Sequence, residues 1–179
     1  MMQSIEKILF TEEQIAEKVK EIGAQISQDY AGKNPLIISV LRGSFVFMAD
    51  LVRAINIPCE VDFLSVSSYG SGTISSGEVK IVKDFEESIA GRHVIVVEDI
   101  LDSGRTLSYL LNTLRTRGVE SLSLCTFLDK PDRRVVPVDV DYCGFQVPDE
   151  FIVGYGLDYD QKYRNLPFVG ILKPEVYGG

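Results

Sequence analysis

Three carboxylates and a hydroxyl-rich turn stand together in VVEDILDSGRTL, residues 96–107, where Glu98, Asp99 and Asp102 lead into Ser103-Gly104-Arg105-Thr106. Carboxylates accept hydrogen bonds, bind hard cations and exchange protons. The turn suits the opposite charge. A helix starting there presents the unpaired N–H groups of Ser103 to Thr106, the Ser103 and Thr106 hydroxyls and its dipole to an anion, and Gly104 lets the backbone come close. The same turn also reads as a plain N-cap. It is neither G-x-x-x-x-G-K-S/T nor G-x-G-x-x-G, so neither a P-loop nor a dinucleotide-binding unit is indicated.

Positioning such a site takes a strand before the carboxylates and a helix after the turn. HVIVVEDI reads as a buried strand, and TLSYLLNTLRTRG as a helix closed by Gly118 in a left-handed conformation. Thr11 and Gln14 have capping-box spacing, ahead of a helix that turns Ile15, Val19, Ile22 and Ile26 to one side. PLIISVL is another buried strand, followed by a helix with Phe47, Leu51 and Ile55 on one face. In EVDFLSVSSY, Val61, Phe63 and Val66 alternate roughly, predicting a strand that enters the loop GSGTISSG and returns as EVKIVKDF, with Val79, Ile81 and Phe85 on one side. SLSLCTFL and EFIVGYGL read as two more strands, with a short one within VVPVDVDYCGF. This alternation predicts an α/β domain with a mostly parallel sheet flanked by helices. Ligands of such sheets bind beyond the carboxyl ends of the strands, which is where Glu98 to Thr106 follows HVIVV. No linker or repeat divides the chain, so residues 1–179 are expected to be one domain.

Composition sets the limits. With 45% hydrophobic and 25% charged residues, the chain has the make-up of a soluble globular protein, and its net charge of −8 with no basic run argues against nucleic-acid binding. Cys59, Cys125 and Cys143 are far apart and form no C-x-x-C, so buried, reduced thiols are expected rather than disulfides or a zinc site. No apolar run approaches membrane-spanning length and MMQSIEKILFTEEQ lacks a basic, then apolar, leader pattern, so a cytoplasmic location is expected. His93, the single histidine, precedes a strand and receives no catalytic role.

The stretch from VIVV through Glu98-Asp99 to Asp102-Ser103-Gly104-Arg105-Thr106 resembles the phosphoribosyl-pyrophosphate motif of the type I phosphoribosyltransferases. LRGS at 41–44, SSYG at 67–70, FLDKPDRR and DEFIVGYGLDYDQKYRNLP follow the order seen in the hypoxanthine-guanine phosphoribosyltransferases, so the resemblance covers about residues 36–172. Arg42, Ser103 and Arg105 stand where familiar variants have Lys, Thr and Lys, which preserves charge or hydroxyl.

The resemblance implies the type I phosphoribosyltransferase fold, with a small hood from the N-terminal segment and about 140–179 and a mobile lid at about 67–83. It implies transfer of the phosphoribosyl group of phosphoribosyl pyrophosphate to a 6-oxopurine, giving IMP or GMP and pyrophosphate in purine salvage, with Mg²⁺ as cofactor. Ser103, Gly104, Arg105 and Thr106 then take the 5′-phosphate, Glu98 and Asp99 the ribose hydroxyls and metal, and Asp102 a proton at purine N7 as general acid/base. Arg42, Gly43, Ser68, Tyr69 and Arg164 fall to pyrophosphate, and Lys130, Phe151, Ile152 and Asp158 to the purine, with Asp158 also reaching a second Mg²⁺. A cis Leu41–Arg42 peptide and a homodimer or homotetramer are further implications, and Tyr155 and Tyr159 are expected to pack behind the base. Two alternatives stay open: an RNA-binding regulator on the same fold, and an enzyme preferring xanthine. The ranking of hypoxanthine, guanine and xanthine stays open as well.

Overall fold

Leu36–Leu41 is apolar apart from Ser39, so as a strand it has no face to offer water and must be covered on both sides. In the computed structural model, which describes residues 1–68 and 79–178, this strand lies inside a six-stranded sheet of order β4-β3-β2-β5-β6-β7. The strands are β2 (Leu36–Leu41), β3 (Glu60–Ser68), β4 (Val79–Lys83), β5 (His93–Leu101), β6 (Ser121–Asp129) and β7 (Tyr142–Gln146), parallel except for the β3–β4 hairpin. β2 takes β3 on one side and β5 on the other, with Ile37 opposite both Val61 and Ile95. Chain order therefore reverses between β2 and β5, and the crevice at their carboxyl ends is where this architecture places ligands.

Helices cover both faces. α1 (Glu12–Asp29) starts in the expected Thr11/Gln14 capping box and buries Ile15, Val19, Ile22 and Ile26. With α2 (Phe45–Ala54), which buries Phe47 and Leu51, it closes a core that includes Ile37, Ile95, Cys125 and Phe127. α3 (Arg105–Arg115) buries Leu107, Leu110, Leu111 and Leu114 on the opposite face, against Ile38, Val40, Val94 and Val96. Gly118, at φ 77°, ends that helical segment as the sequence predicts. A second, antiparallel sheet joins β1 (Ile5–Phe10), β9 (Val169–Leu172) and β8 (Ile152–Val153) in the order β1-β9-β8, and the short α4 (Pro174–Tyr177) follows it.

Several expectations are corrected. β5 runs through Glu98 and Asp99 to Leu101, paired with β6 as far as Asp129, one residue beyond the expected HVIVVEDI. In β3 it is Leu64 that is buried, against the core under α3, while Val61 and Phe63 are exposed. EFIVGYGL holds only the two-residue β8, in the second sheet, since Gly154, Tyr155 and Gly156 all have positive φ and stop an extended run. Tyr142–Gln146 is the edge of the main sheet, which divides the segment from 140 onward between the two sheets. β1 and β9, which carry no clear alternation, were not expected as strands. All three cysteines are free, but Cys143 is exposed at that edge and Cys59 half-buried; only Cys125 is fully buried. Tyr69, GSGTISSG and Glu78 lie outside the described residues, as does the side chain of Ser68, whose backbone ends β3 opposite Val79.

Candidate active site

The carboxyl ends of β5 and β6 open onto a cavity of about 460 Å³, within the range of small-molecule sites. Asp99, Ile100 and Asp102 line it from β5 and its turn, Lys130 and Arg133 from the segment after β6, and Asp149 to Ile152, Leu157, Asp158 and Tyr177 from the second sheet and its loops. Asp102, Lys130, Phe151, Ile152 and Asp158, far apart in sequence, are thus brought to one space, together with Asp99.

Gly104 caps α3 at φ 82°, a conformation that favours glycine, and a side chain there would overlap the Val136 carbonyl. The turn is pinned from outside, because the Ser103 carbonyl accepts N–H bonds from Val135 at 2.9 Å and Val136 at 3.0 Å. Ser103 Oγ accepts the Arg105 N–H at 3.4 Å, so part of its bonding capacity goes to the local cap. What remains is a helix N-terminus with glycine at its entrance, as an anion site requires.

Asp102 is held by two arginines that the sequence reading passes over. Arg134 Nε donates to the Asp102 backbone carbonyl at 3.0 Å and its guanidinium pairs with Asp129, while Arg133 Nε meets Asp102 Oδ1 at 3.3 Å. Both belong to FLDKPDRR, where adjacent arginines on an irregular segment carry no periodic signal to fix their direction. Lys130 is buried, with its Nζ donating to the Glu150 carbonyl at 2.9 Å and its backbone N–H to Leu101 at 2.9 Å. One ammonium bond is therefore fixed and the other two donors remain for a ligand in the cavity.

Glu98 and Asp99 each accept the next residue's N–H, at 3.0 Å and 2.7 Å. No cationic side chain pairs with either among the described residues, in contrast to Asp102, Asp129 and Asp158. Burial, and then the neighbouring Asp99 charge, push the Glu98 carboxyl well above the usual carboxylate range. Such a group adds stability when protonated and loses it as pH rises through its raised pKa. In metal-free protein, Glu98→Gln should therefore raise the unfolding midpoint at neutral pH and leave it unchanged near pH 4. Each kcal/mol relieved is worth about 2–4 °C in a chain of this size; a thermal melt at both pH values in EDTA checks this.

The two oxygen donors suit Mg²⁺, which binds through one or two carboxylates plus substrate oxygens and water. No group of three or more His, Cys, Asp or Glu among the described residues could hold a metal without such help. Asp158 is already engaged, its Oδ1 paired with Arg164 at 3.1 Å and its Oδ2 accepting the Gln161 N–H at 2.8 Å.

Gly43 ties these parts together. The Leu41–Arg42 peptide is cis, and Gly43 follows it so closely against Asp99 that a Cβ would overlap the Asp99 carboxylate. From the other side, Gly156 packs on the Gly43 carbonyl with no room for a side chain. Ser44 Oγ completes the turn by bonding the Val40 carbonyl at 2.6 Å and the otherwise orphaned Ser39 hydroxyl at 2.7 Å. Arg42 reaches Gln161 at 3.2 Å, and Arg164 donates to the Gly156 carbonyl at 2.7 Å, so both arginines sit along one rim. Gly43→Ala is expected to push Asp99 aside. Steady-state rates should fall about 10²-fold, the cost of an ångström-scale misplacement, while the melting midpoint moves little.

Tyr155 and Tyr159 are packing residues, as expected: Tyr155 packs at a tilt 4.9 Å from Phe127 and its hydroxyl donates to Asp50, and Tyr159 meets Phe151 edge-on at 5.3 Å. His93 bonds Ser121 at 2.7 Å where β5 and β6 begin, at the amino end of the sheet.

Comparison with known proteins agrees with this geometry. The family described as phosphoribosyl transferase domain matches residues 7–160. A Streptococcus thermophilus hypoxanthine-guanine phosphoribosyltransferase is 56% identical over 173 residues, covering 97% of this chain and 96% of that protein. The bifunctional protein TilS/HprT of Listeria monocytogenes is 53% identical over 177 residues; 99% of this chain matches it, and the chain spans only 27% of its length. The crystal structure of a Staphylococcus aureus hypoxanthine phosphoribosyltransferase superposes with a TM-score of 0.97 at 47% identity, over 100% of this chain and 97% of that one. The fold and the crevice at its switch point define a type I phosphoribosyltransferase. More narrowly, the chain belongs to the hypoxanthine-guanine phosphoribosyltransferase family.

Proposed function

We propose that this chain transfers the 5-phosphoribosyl group of phosphoribosyl pyrophosphate to a 6-oxopurine, hypoxanthine and guanine, forming IMP or GMP in purine salvage. The observation that carries this reading is the convergence of Asp102, Lys130, Phe151 and Asp99 on one cavity from three separate parts of the chain. Ser103 to Thr106 take the 5′-phosphate at the start of α3, Glu98 and Asp99 accept from the ribose hydroxyls, and Arg42, Gly43 and Arg164 form the pyrophosphate rim. Ser68 and Tyr69 are proposed to cover pyrophosphate from the segment outside the described residues.

Phe151 offers a ring for the purine and the Ile152 backbone its N1 and C2 edge, while the free Lys130 donors meet O6. Adenine presents a donor at that position, which leaves Lys130 facing another donor. Asp102 takes the proton as N9 attacks C1′, bond formation proceeding as pyrophosphate departs. Glu98 and Asp99, with Asp158 at a second position, would hold Mg²⁺, which would supply charge neutralisation for the leaving pyrophosphate. Asp158 must first exchange its Arg164 contact.

Incubating the protein with phosphoribosyl pyrophosphate, Mg²⁺ and each of hypoxanthine, guanine, xanthine and adenine tests the reading. IMP and pyrophosphate should appear in equal amounts and adenine should be inert; absence of IMP would overturn it. We further propose a homo-oligomer formed beside LRGS, supported by the exposed Phe45 next to Leu41 and Arg42, with sedimentation velocity as the check. A cytoplasmic location is supported by the three free thiols, and no helix among the described residues is long and apolar enough to cross a membrane.

A further inference from the structure

Phe151 stands just before the two-residue β8, and it is 36% exposed, which is unusual for a ring that must hold one orientation. Its own strand offers little support, because only two residues of regular pairing follow it. The ring is instead held by two others. Tyr159 meets it edge-on at 90°, and Tyr177 lies across it at 4.7 Å between centroids and 26° between planes. Tyr177 thereby covers much of one face, while Phe151 stays partly exposed and, like Tyr177, lines the cavity.

Tyr177 is in turn fixed to the second sheet. The Leu172 N–H donates to the Phe151 carbonyl at 2.8 Å, so the strand leading to α4 is bonded to the residue whose ring α4 covers. The Lys173 backbone N–H donates to the Ser4 carbonyl at 2.9 Å, and Val176 and Tyr177 pack against the cluster of Val153, Leu166 and Leu172. Stacked aromatic pairs are worth about 0.5–1.5 kcal/mol beyond their buried area, enough to favour one rotamer of a ring that Tyr159 otherwise touches only at an edge.

We infer that Tyr177 is a positioning residue of the purine site, acting through Phe151 by stacking on the face away from the base. The inference rests on the proposed role of Phe151 as the purine platform. The order across the site is then Tyr177, Phe151, purine. Removing Tyr177 leaves the base contacts in place but only Tyr159 to hold the platform, a loss that appears in base binding and leaves phosphoribosyl pyrophosphate binding alone.

The test is steady-state kinetics on Tyr177→Leu, Tyr177→Phe, Phe151→Leu and the Phe151→Leu/Tyr177→Leu double variant, with KM measured for hypoxanthine and for phosphoribosyl pyrophosphate. Tyr177→Leu should raise the hypoxanthine KM about 2- to 12-fold, the range of one stacking contact, with the phosphoribosyl pyrophosphate KM unchanged. Tyr177→Phe should match the parent, since ring faces make the contact. The double variant should equal Phe151→Leu alone, because Tyr177 has nothing left to act through. A rise from Phe151→Leu with none from Tyr177→Leu overturns the inference and leaves the platform intact. No change from either variant overturns the platform itself. Parallel rises for both substrates mark a merely structural role, additive effects a direct contact with the purine, and a lowered hypoxanthine KM a blocking role; each would sink the inference.

Discussion

Asp102→Asn should lower kcat about 10²- to 10⁴-fold, the usual contribution of a general acid/base, with the KM for phosphoribosyl pyrophosphate within a few-fold of the parent. The geometry separates the two effects. Arg134 holds Asp102 through its backbone carbonyl, and Val135 and Val136 hold the turn through the Ser103 carbonyl, so the phosphate cradle does not depend on the side-chain charge. Asparagine keeps the shape and an acceptor for Arg133 while losing the ability to take a proton. Pre-steady-state measurement of IMP formation distinguishes chemistry from product release; an unchanged single-turnover rate would remove Asp102 from the proton path.

Lys130→Gln should lower kcat/KM for hypoxanthine by about 10²-fold, in keeping with the loss of a charged hydrogen bond in a buried site. Adenine should not suffer that loss, because the rotated glutamine amide can offer its carbonyl to the adenine amino group. The ratio of the two kcat/KM values is the measurement, and a ratio equal to the parent's would reject Lys130 as the O6 recogniser. Glutamine can still donate to the Glu150 carbonyl, so the loop it anchors should stay in place.

The sequence was most legible where pattern and packing agree. Thr11 and Gln14 announce α1, the apolar runs of β2 and β5 can only be sheet interior, and Gly104 and Gly118 bracket α3 with conformations that glycine favours. The candidate site residues come from motif order, and the fold brings Asp102, Lys130 and Phe151 to one cavity. The second sheet was much less legible. β1 alternates poorly because it is largely exposed, and β8 is two residues long because the next three have positive φ, a backbone property that FIVGYG does not declare. Arg133, Arg134 and Tyr177 reach the site from irregular or very short segments, and only the tertiary path of the chain gives their directions.

Gly43 is wedged between the Asp99 carboxylate and Gly156 with no room for a methyl group on either side. The consequence is epistasis. Position 43 can accept a side chain only if residue 99 surrenders its carboxylate's place, and position 156 cannot compensate, because its own side chain would strike the Gly43 carbonyl. A library randomised at 43, 99 and 156 together should thus return the parental trio under selection for activity, whereas selection for folding alone should let 43 and 99 vary as a pair.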